Sequence, residues 1–217
     1  MFESFLSFDI GVFNWIANLF NPGANPFWDG FFTIITKLGD HGLIWILLGL
    51  ALFIPNRTRK VGTVILGAML FMLLINNIVL KNIFARPRPY ALETEWWLFE
   101  YAYPGLIKFP SGHSFPSGHA SGAFAGAMAW LLASRAEWVG KRARLVSVAG
   151  VVLAVLIAFS RVYVGVHYAT DVIAGAVVGT VCALLSLLLL RLLEPKFDKA
   201  NEPLAQWCEK RLPKAFH

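Results

Sequence analysis

Val172-Ile-Ala-Gly-Ala-Val-Val-Gly-Thr-Val-Cys-Ala-Leu-Leu-Ser-Leu-Leu-Leu-Leu-Arg-Leu-Leu193 is a run of 22 residues whose only charge, Arg191, stands near its end. About 20 mainly apolar residues in a helix cover the hydrocarbon core of a bilayer. This run is therefore read as a membrane span. Three further stretches read the same way: Val61 to Phe84, Gly118 to Ala133 and Val146 to Val164. Gly42 to Ile54 is short for a span but very apolar, and it lengthens backwards through Ile35 and Leu38 across the break Gly39-Asp-His-Gly. Backbone groups in lipid must be satisfied within the segment, so the expected fold is all-α. It is a polytopic membrane helix bundle of five to six spanning helices preceded by N-terminal interfacial helices.

Composition agrees. Of 217 residues, 57% are hydrophobic and 15% charged, with a mean hydropathy of +0.61. Soluble domains carry about a quarter charged residues, so a soluble class is excluded and no nucleic-acid partner is expected. Cys182 sits in an apolar run and Cys208 in a polar tail, so no disulfide is expected between them, and no cysteine spacing suggests zinc. The start, Met1-Phe-Glu-Ser-Phe, lacks a basic region followed by an apolar one, so no cleavable signal peptide is expected.

Residues 1–41 are expected to form amphipathic helices in the interface. Phe13, Ile16, Ala17 and Phe20 recur at helical spacing, and Phe27 to Leu38 follows after Asn21-Pro-Gly. Each piece is too short to span, so the aromatic faces are assigned to lipid; the other reading makes one of them a tilted sixth span. Residues 42–194 form the membrane-embedded core. Residues 195–217 are a polar tail, either solvated or carrying a short helix with Leu204, Trp207 and Leu212 along one stripe.

Basic residues set the orientation. Arg57, Arg59 and Lys60 follow the short span; Arg135, Lys141, Arg142 and Arg144 lie between two others; Arg191, Lys196 and Lys199 close the last. These connections are cytoplasmic by the positive-inside rule. The connections from Phe84 to Ser117 and from Val164 to Asp171 then share the extracytoplasmic face of a multi-pass protein of the cell membrane.

Three motifs fall on that face: Lys81-Asn-Ile-Phe-Ala-Arg-Pro-Arg88-Pro89, Phe115-Pro-Ser-Gly-His119, and Ser160-Arg161 followed by His167 and Asp171. Ionisable groups at membrane depth are costly and are functional candidates by default. Three cations, Lys81, Arg88 and Arg161, beside His119, His167 and Asp171 suit a multiply charged anion. Arginine pairs two phosphate oxygens with its planar fork, and lysine adds a point charge. Ser117-Gly118 opens a helix whose backbone amides point at an anion. His167 and Asp171 are four apart and share a helix face. The carboxylate takes the Nδ1 hydrogen and leaves Nε2 free to attack phosphorus. His119, from another helix, protonates the leaving oxygen and then activates water.

In the pattern K-x6-R-P, P-S-G-H and S-R-x5-H-x3-D, from about Gly42 to Leu193, the chain resembles the type 2 phosphatidic acid phosphatase family. That family also takes in soluble acid phosphatases and vanadium haloperoxidases. The resemblance implies His167 as nucleophile, His119 as acid and base, Asp171 as orienter, and Lys81, Arg88, Arg161, Ser117 and Gly118 as phosphate ligands. It implies a lipid phosphate or diphosphate as substrate within the bilayer, and from family habit in small chains it ranks a polyprenyl diphosphate such as undecaprenyl diphosphate first. Phosphatidic acid and phosphatidylglycerol phosphate come next. Neither metal nor other cofactor is expected, because only Asp171 offers a carboxylate among the motifs and cations crowd it. The same chemistry would serve a lipid phosphotransferase, and a non-enzymatic protein binding anionic lipid is the reading from a different class.

Phe109-Pro-Ser-Gly-His113 repeats the second motif six residues early. The later copy is expected to act, since Ala120 onwards continues into a helix, and His113 is read as a loop residue. Arg86, off the motif frame, is read as an interfacial anchor, His41 as a turn residue, and Asn76 and Asn77 as partners in a helix–helix hydrogen bond. Tyr90 to Lys108, with Trp96, Trp97, Phe99, Tyr101 and Tyr103, is either a lip beside the site or an aromatic anchor.

Overall fold

The computed structural model describes residues 3–91, 106–135 and 141–211. Among them the chain is helical and contains no strand. The helices are α1 (Glu3–Phe20), α2 (Pro26–Leu38), α3 (Leu43–Phe53), α4 (Arg59–Met72), α5 (Lys81–Phe84), α6 (Gly118–Arg135), α7 (Lys141–Tyr163) and α8 (Ala169–Arg211). A π-helical stretch, Leu73–Leu80, joins α4 to α5, and a single 3₁₀ turn, Asp40–Gly42, joins α2 to α3.

Long apolar runs give the outer helices. Val152 and Val155 on α7, and Val177, Val181, Leu184, Leu188 and Leu192 on α8, are exposed, which is where lipid supplies the apolar partner. By length and composition, three helices of the described residues suffice to cross a membrane: residues 59–91, 145–163 and 169–204. Pro26–Leu38 and Asp40–Phe53 make a fourth when taken as one span bent by 42°. This is the backward extension that Ile35 and Leu38 suggested, with its break at Gly39.

α6, which contains the expected span Gly118 to Ala133, is not in that set. At 18 residues it is about 27 Å long, but its residues are small. Ala120, Ser121, Gly122, Ala123, Ala125, Gly126, Ala127 and Ala129 are buried, because α6 runs through the interior against α4, α7 and α8 and meets protein instead of lipid. Contact with α8 is a close backbone approach. A Cβ on Gly175 would lie 2.7 Å from the Ser117 carbonyl, as small-residue packing of membrane helices requires.

The N-terminal helices differ from expectation. Phe13 and Ile16 of α1 and Phe32 of α2 are buried against protein, in a cluster with Tyr163 and Tyr168. Phe32 and Tyr163 rings stand 4.3 Å apart between centroids. Only the other face of α1, with Phe5, Phe8, Trp15 and Leu19, is exposed. The aromatic stripe assigned to lipid therefore covers the end of α7. A stripe facing lipid and one facing protein share the same periodicity, so the sequence does not say which stripe meets Tyr163 and Tyr168.

The expected tail continues α8 without a break to Arg211, through Pro195 and Pro203. Leu204 and Trp207 are exposed on it, and Leu212 lies outside the described residues. Lys60 ties this extension to the base of α4, 2.7 Å from Glu194 and 3.0 Å from Asp198. Cys182 is a buried free thiol. The five aromatic residues named between Tyr90 and Lys108 lie outside the described residues.

Candidate active site

The end of α5, the start of α6, the end of α7 and the start of α8 meet at one end of the bundle. Arg88 lies just beyond α5, where Ala85 in the left-handed region (φ 43°) stops the helix. Its guanidinium is held on a shelf of backbone carbonyls. Nε donates to Gly112 O at 2.9 Å, Nη1 to Val166 O at 3.0 Å and Nη2 to Ser111 O at 3.3 Å. Two of these acceptors belong to the early copy of the duplicated motif. Arg161, at the end of α7, donates from Nη1 to Thr36 Oγ1 at 2.5 Å. Lys81 Nζ donates to His113 O at 3.4 Å.

His167 sits in the turn between α7 and α8, shaped by Gly165 in the left-handed region (φ 71°). Its backbone N–H donates to Arg161 O at 3.3 Å. The buried ring has Nε2 3.2 Å from Arg88 Nη1. Arginine has no acceptor to offer, so Nε2 keeps its lone pair and the ring hydrogen belongs on Nδ1. Two oxygens face Nδ1: Ser114 Oγ at 3.3 Å and Asp171 Oδ2 at 3.4 Å. Burial above all, then the charges of Arg88, Arg161, Lys81 and His119, holds His167 well below the ordinary imidazole value of 6.5.

Asp171, in the first turn of α8, is fully buried and well supplied with donors. Ser114 Oγ donates to Oδ2, Tyr168 N–H donates to it at 3.0 Å, and Arg86 Nη1 donates to Oδ1 at 2.7 Å. Arg86 is thus no interfacial anchor. It is 3% exposed, its Nη2 lies 2.8 Å from Asp9 Oδ2 on α1, and it stacks over the Tyr168 ring at 3.8 Å. Asp9 in turn accepts from Thr170 N–H at 2.9 Å. A buried arginine needs paired charge, and two carboxylates provide it.

A cavity of about 760 Å³ opens beside these groups. Lys81, Arg88, Gly118, His119, Arg161 and His167 all line it, so six of the eight residues singled out in the sequence converge there. Asp171 stands behind His167. Ser117 is buried and is not on the wall; Ala120 N–H donates to its hydroxyl at 3.4 Å, within the first turn of α6. His119 Nε2 lies 2.8 Å from Asp40 Oδ1.

Apolar side chains line the same cavity: Ile46, Leu66, Met69, Leu70, Met72 and Leu73. His113 and His41 line the cavity as exposed residues, and His41 occupies the expected turn. Asn76 and Asn77 do not join two helices: Asn76 Nδ2 donates to Asn77 Oδ1 at 2.9 Å, inside the π-helical stretch. Wider turns of this kind displace side chains from the α-helical register, and Asn77 reaches the cavity wall. No group of three His, Cys, Asp or Glu among the described residues is placed to hold a metal ion.

Sequence reasoning missed Asp9, Thr36, Asp40 and Ser114. Lone acids among aromatic and apolar residues were the available signal for the two aspartates. Nothing local marked Thr36.

Residues 61–194 match the model of the PAP2 superfamily. The chain is 31% identical over 184 residues to an undecaprenyl-diphosphatase of Sulfolobus acidocaldarius, covering 85% of this chain and 79% of that protein. It is 30% identical over 160 residues to phosphatidylglycerophosphatase B of Bacillus subtilis, covering 71% of each. Among solved structures, the PAP2-type phosphatidylglycerolphosphate phosphatase of Bacillus subtilis superposes with a TM-score of 0.63 at 25% identity, over 84% of both chains. LpxE of Aquifex aeolicus gives 0.60 at 32% identity, over 82% of this chain and 93% of the other. With motifs, fold and sequence in agreement over most of its length, the chain belongs to the PAP2 superfamily.

Proposed function

We propose that this protein is an integral membrane hydrolase that removes phosphate from a lipid phosphomonoester or diphosphate by way of a phosphohistidine. One observation carries the reading: a single cavity is lined both by three cations with the imidazoles of His119 and His167 and by aliphatic side chains of α3 and α4. A phosphate joined to a hydrocarbon tail matches both sets.

His167 is the nucleophile. Its Nε2 lone pair faces the cations, and Ser114 and Asp171 accept at its Nδ1 side. Attack on phosphorus gives a phosphohistidine as the bond to the lipid oxygen breaks, and His119 supplies the proton to that oxygen. His119 then takes a proton from water, which displaces the imidazole and releases inorganic phosphate. Lys81, Arg88, Arg161 and the amides opening α6 at Gly118 offset charge on the equatorial oxygens. Ser117 supports that helix start.

A polyprenyl diphosphate is the preferred substrate, ahead of phosphatidylglycerol phosphate and phosphatidic acid, in keeping with the relatives' activities. The site faces the extracytoplasmic side of the cell membrane, since Lys81, Arg88 and His119 lie at the bundle end remote from Lys60 and the α8 extension.

The test is a panel of purified lipid phosphates and diphosphates, assayed for phosphate release in detergent with EDTA present. The parent protein should hydrolyse at least one, most rapidly a polyprenyl diphosphate, and His167→Ala should lose on the order of 10⁴-fold or more. Phosphate release unchanged in His167→Ala would refute the assignment.

A further inference from the structure

The corner between α2 and α3 carries no part of the three motifs, yet it supplies two side chains to the site. Thr36 receives the hydrogen bond of Arg161, and Asp40 faces His119. Gly39 lies flat against that imidazole: a Cβ there would come 2.9 Å from the ring carbon Cδ2 and 2.6 Å from Ile157 Cγ2. Directly after Asp40, His41 (φ 54°) and Gly42 (φ 64°) are both in the left-handed region. That conformation is strained for histidine; it accompanies the 42° bend between α2 and α3, and Asp40 stands on the cavity wall. Residues 39–42 all line the cavity.

We infer that Asp40 is the positioning residue of His119: its carboxylate holds the ring by the Nε2 edge and offsets the charge His119 carries when protonated. The inference rests on the reading of His119 as the acid. A carboxylate only accepts, so Nε2 carries a hydrogen in this pair, and Nδ1 gains and loses the mobile proton. In the first step the bond from His167 Nε2 to phosphorus forms while the bond from phosphorus to the lipid oxygen breaks. The Nδ1 proton of His119 passes to that oxygen. In the second step a water oxygen bonds to phosphorus, the P–N bond breaks, and one water proton returns to Nδ1. The Asp40 side chain is 55% exposed, so its replacement removes a partner from the cavity mouth and leaves the packed interior alone.

The test compares two substrates with the same alkyl chain, an alkyl phosphate and a nitrophenyl phosphate. An alkoxide needs a proton to leave; a nitrophenolate does not. Asp40→Ala and Asp40→Asn should lower kcat/KM on the alkyl phosphate about tenfold or more, a part of the roughly 10²–10⁴-fold that general acid catalysis contributes. On the nitrophenyl phosphate they should lower it less than about threefold. His119→Ala should show the same selectivity more strongly, and the double variant should be no slower than His119→Ala. Unchanged alkyl turnover in Asp40→Ala, or equal losses on both substrates, overturns the inference. If His119→Ala is selective and Asp40→Ala is not, only the role of Asp40 falls. If His119→Ala is itself unselective, the acid assignment falls with it.

Discussion

Arg86 and Asp171 form an ion pair of 2.7 Å in the protein interior, with 3% and 0% of their side chains exposed. The same guanidinium holds Asp9 of α1 at 2.8 Å, so the first helix is fastened to the carboxylate behind His167. Breaking a buried pair by removing one partner costs about 3–5 kcal/mol. Arg86→Ala leaves two buried carboxylates facing each other across the gap. It should lower the thermal midpoint in detergent by several degrees or prevent folding, and abolish phosphate release. Asp9→Asn should do the same more mildly, about 1–3 kcal/mol. An Arg86→Ala protein that melts and turns over like the parent would show the pair to be idle.

The pH profile follows from His167. In the proposed reaction the attacking form is neutral, and burial together with Arg88, Arg161, Lys81 and His119 lowers the proton affinity of His167 from the ordinary 6.5. A depressed value means protonation only at lower pH, so the acidic limb of kcat/KM due to this group should lie below pH 6.5. Folding stability has the same sign: this histidine costs nothing extra above the unfolded value, and stability falls as pH drops below it. Arg88→Ala removes a neighbouring charge, so it should move the limb upward as well as slow the reaction. A limb that stays put in Arg88→Ala would contradict this electrostatic account.

These pairings explain what could be read from the sequence and what could not. Lys81, Arg88, His119, Arg161, His167 and Asp171 stand at the ends of apolar runs, where a charge has no reason to be unless it is used, and the spacing of His167 and Asp171 is local. The span of α8 and the break at Gly39 were legible for the same kind of reason. Arg86 was not. Its partners lie 77 and 85 residues away, and snorkelling explains an isolated arginine at a helix end equally well until the fold brings Asp9 and Asp171 to it. Asp40 pairs with His119 across 79 residues, and no periodicity encodes such a contact. The sequence of α6 marks an apolar helix but not what it packs against, since alanine and glycine count as apolar whether they face lipid or a neighbouring backbone.

The duplicated motif divides its labour. The early copy supplies the carbonyls of Ser111 and Gly112 to Arg88, and Ser114 beside it serves Asp171 and His167. His113→Ala should therefore leave kcat/KM within about threefold, the ~0.5 kcal/mol typical of exposed positions. His119→Ala should lose about 10²–10⁴-fold. Ser114→Ala removes a buried hydrogen bond to a charged group, worth about 1.5–3 kcal/mol, and should lower both stability and rate. A dead His113→Ala with an active His119→Ala would reverse the assignment.

Orientation is testable with thiols. In a background with Cys182 and Cys208 replaced by serine, Lys108→Cys, exposed near the site, should react with a membrane-impermeant reagent in intact cells. Lys199→Cys, exposed on the α8 extension, should react only after permeabilisation. The opposite pattern would place the site in the cytoplasm.

The covalent step is the most exposed part of the account. Parent protein mixed with a lipid diphosphate labelled at its terminal phosphate and quenched within one turnover should carry label that is stable to base and lost in acid. Peptide mapping should place it on His167, and His167→Ala should carry none. Label on another residue, or full turnover with no label trapped at any time, would contradict a phosphohistidine at this position.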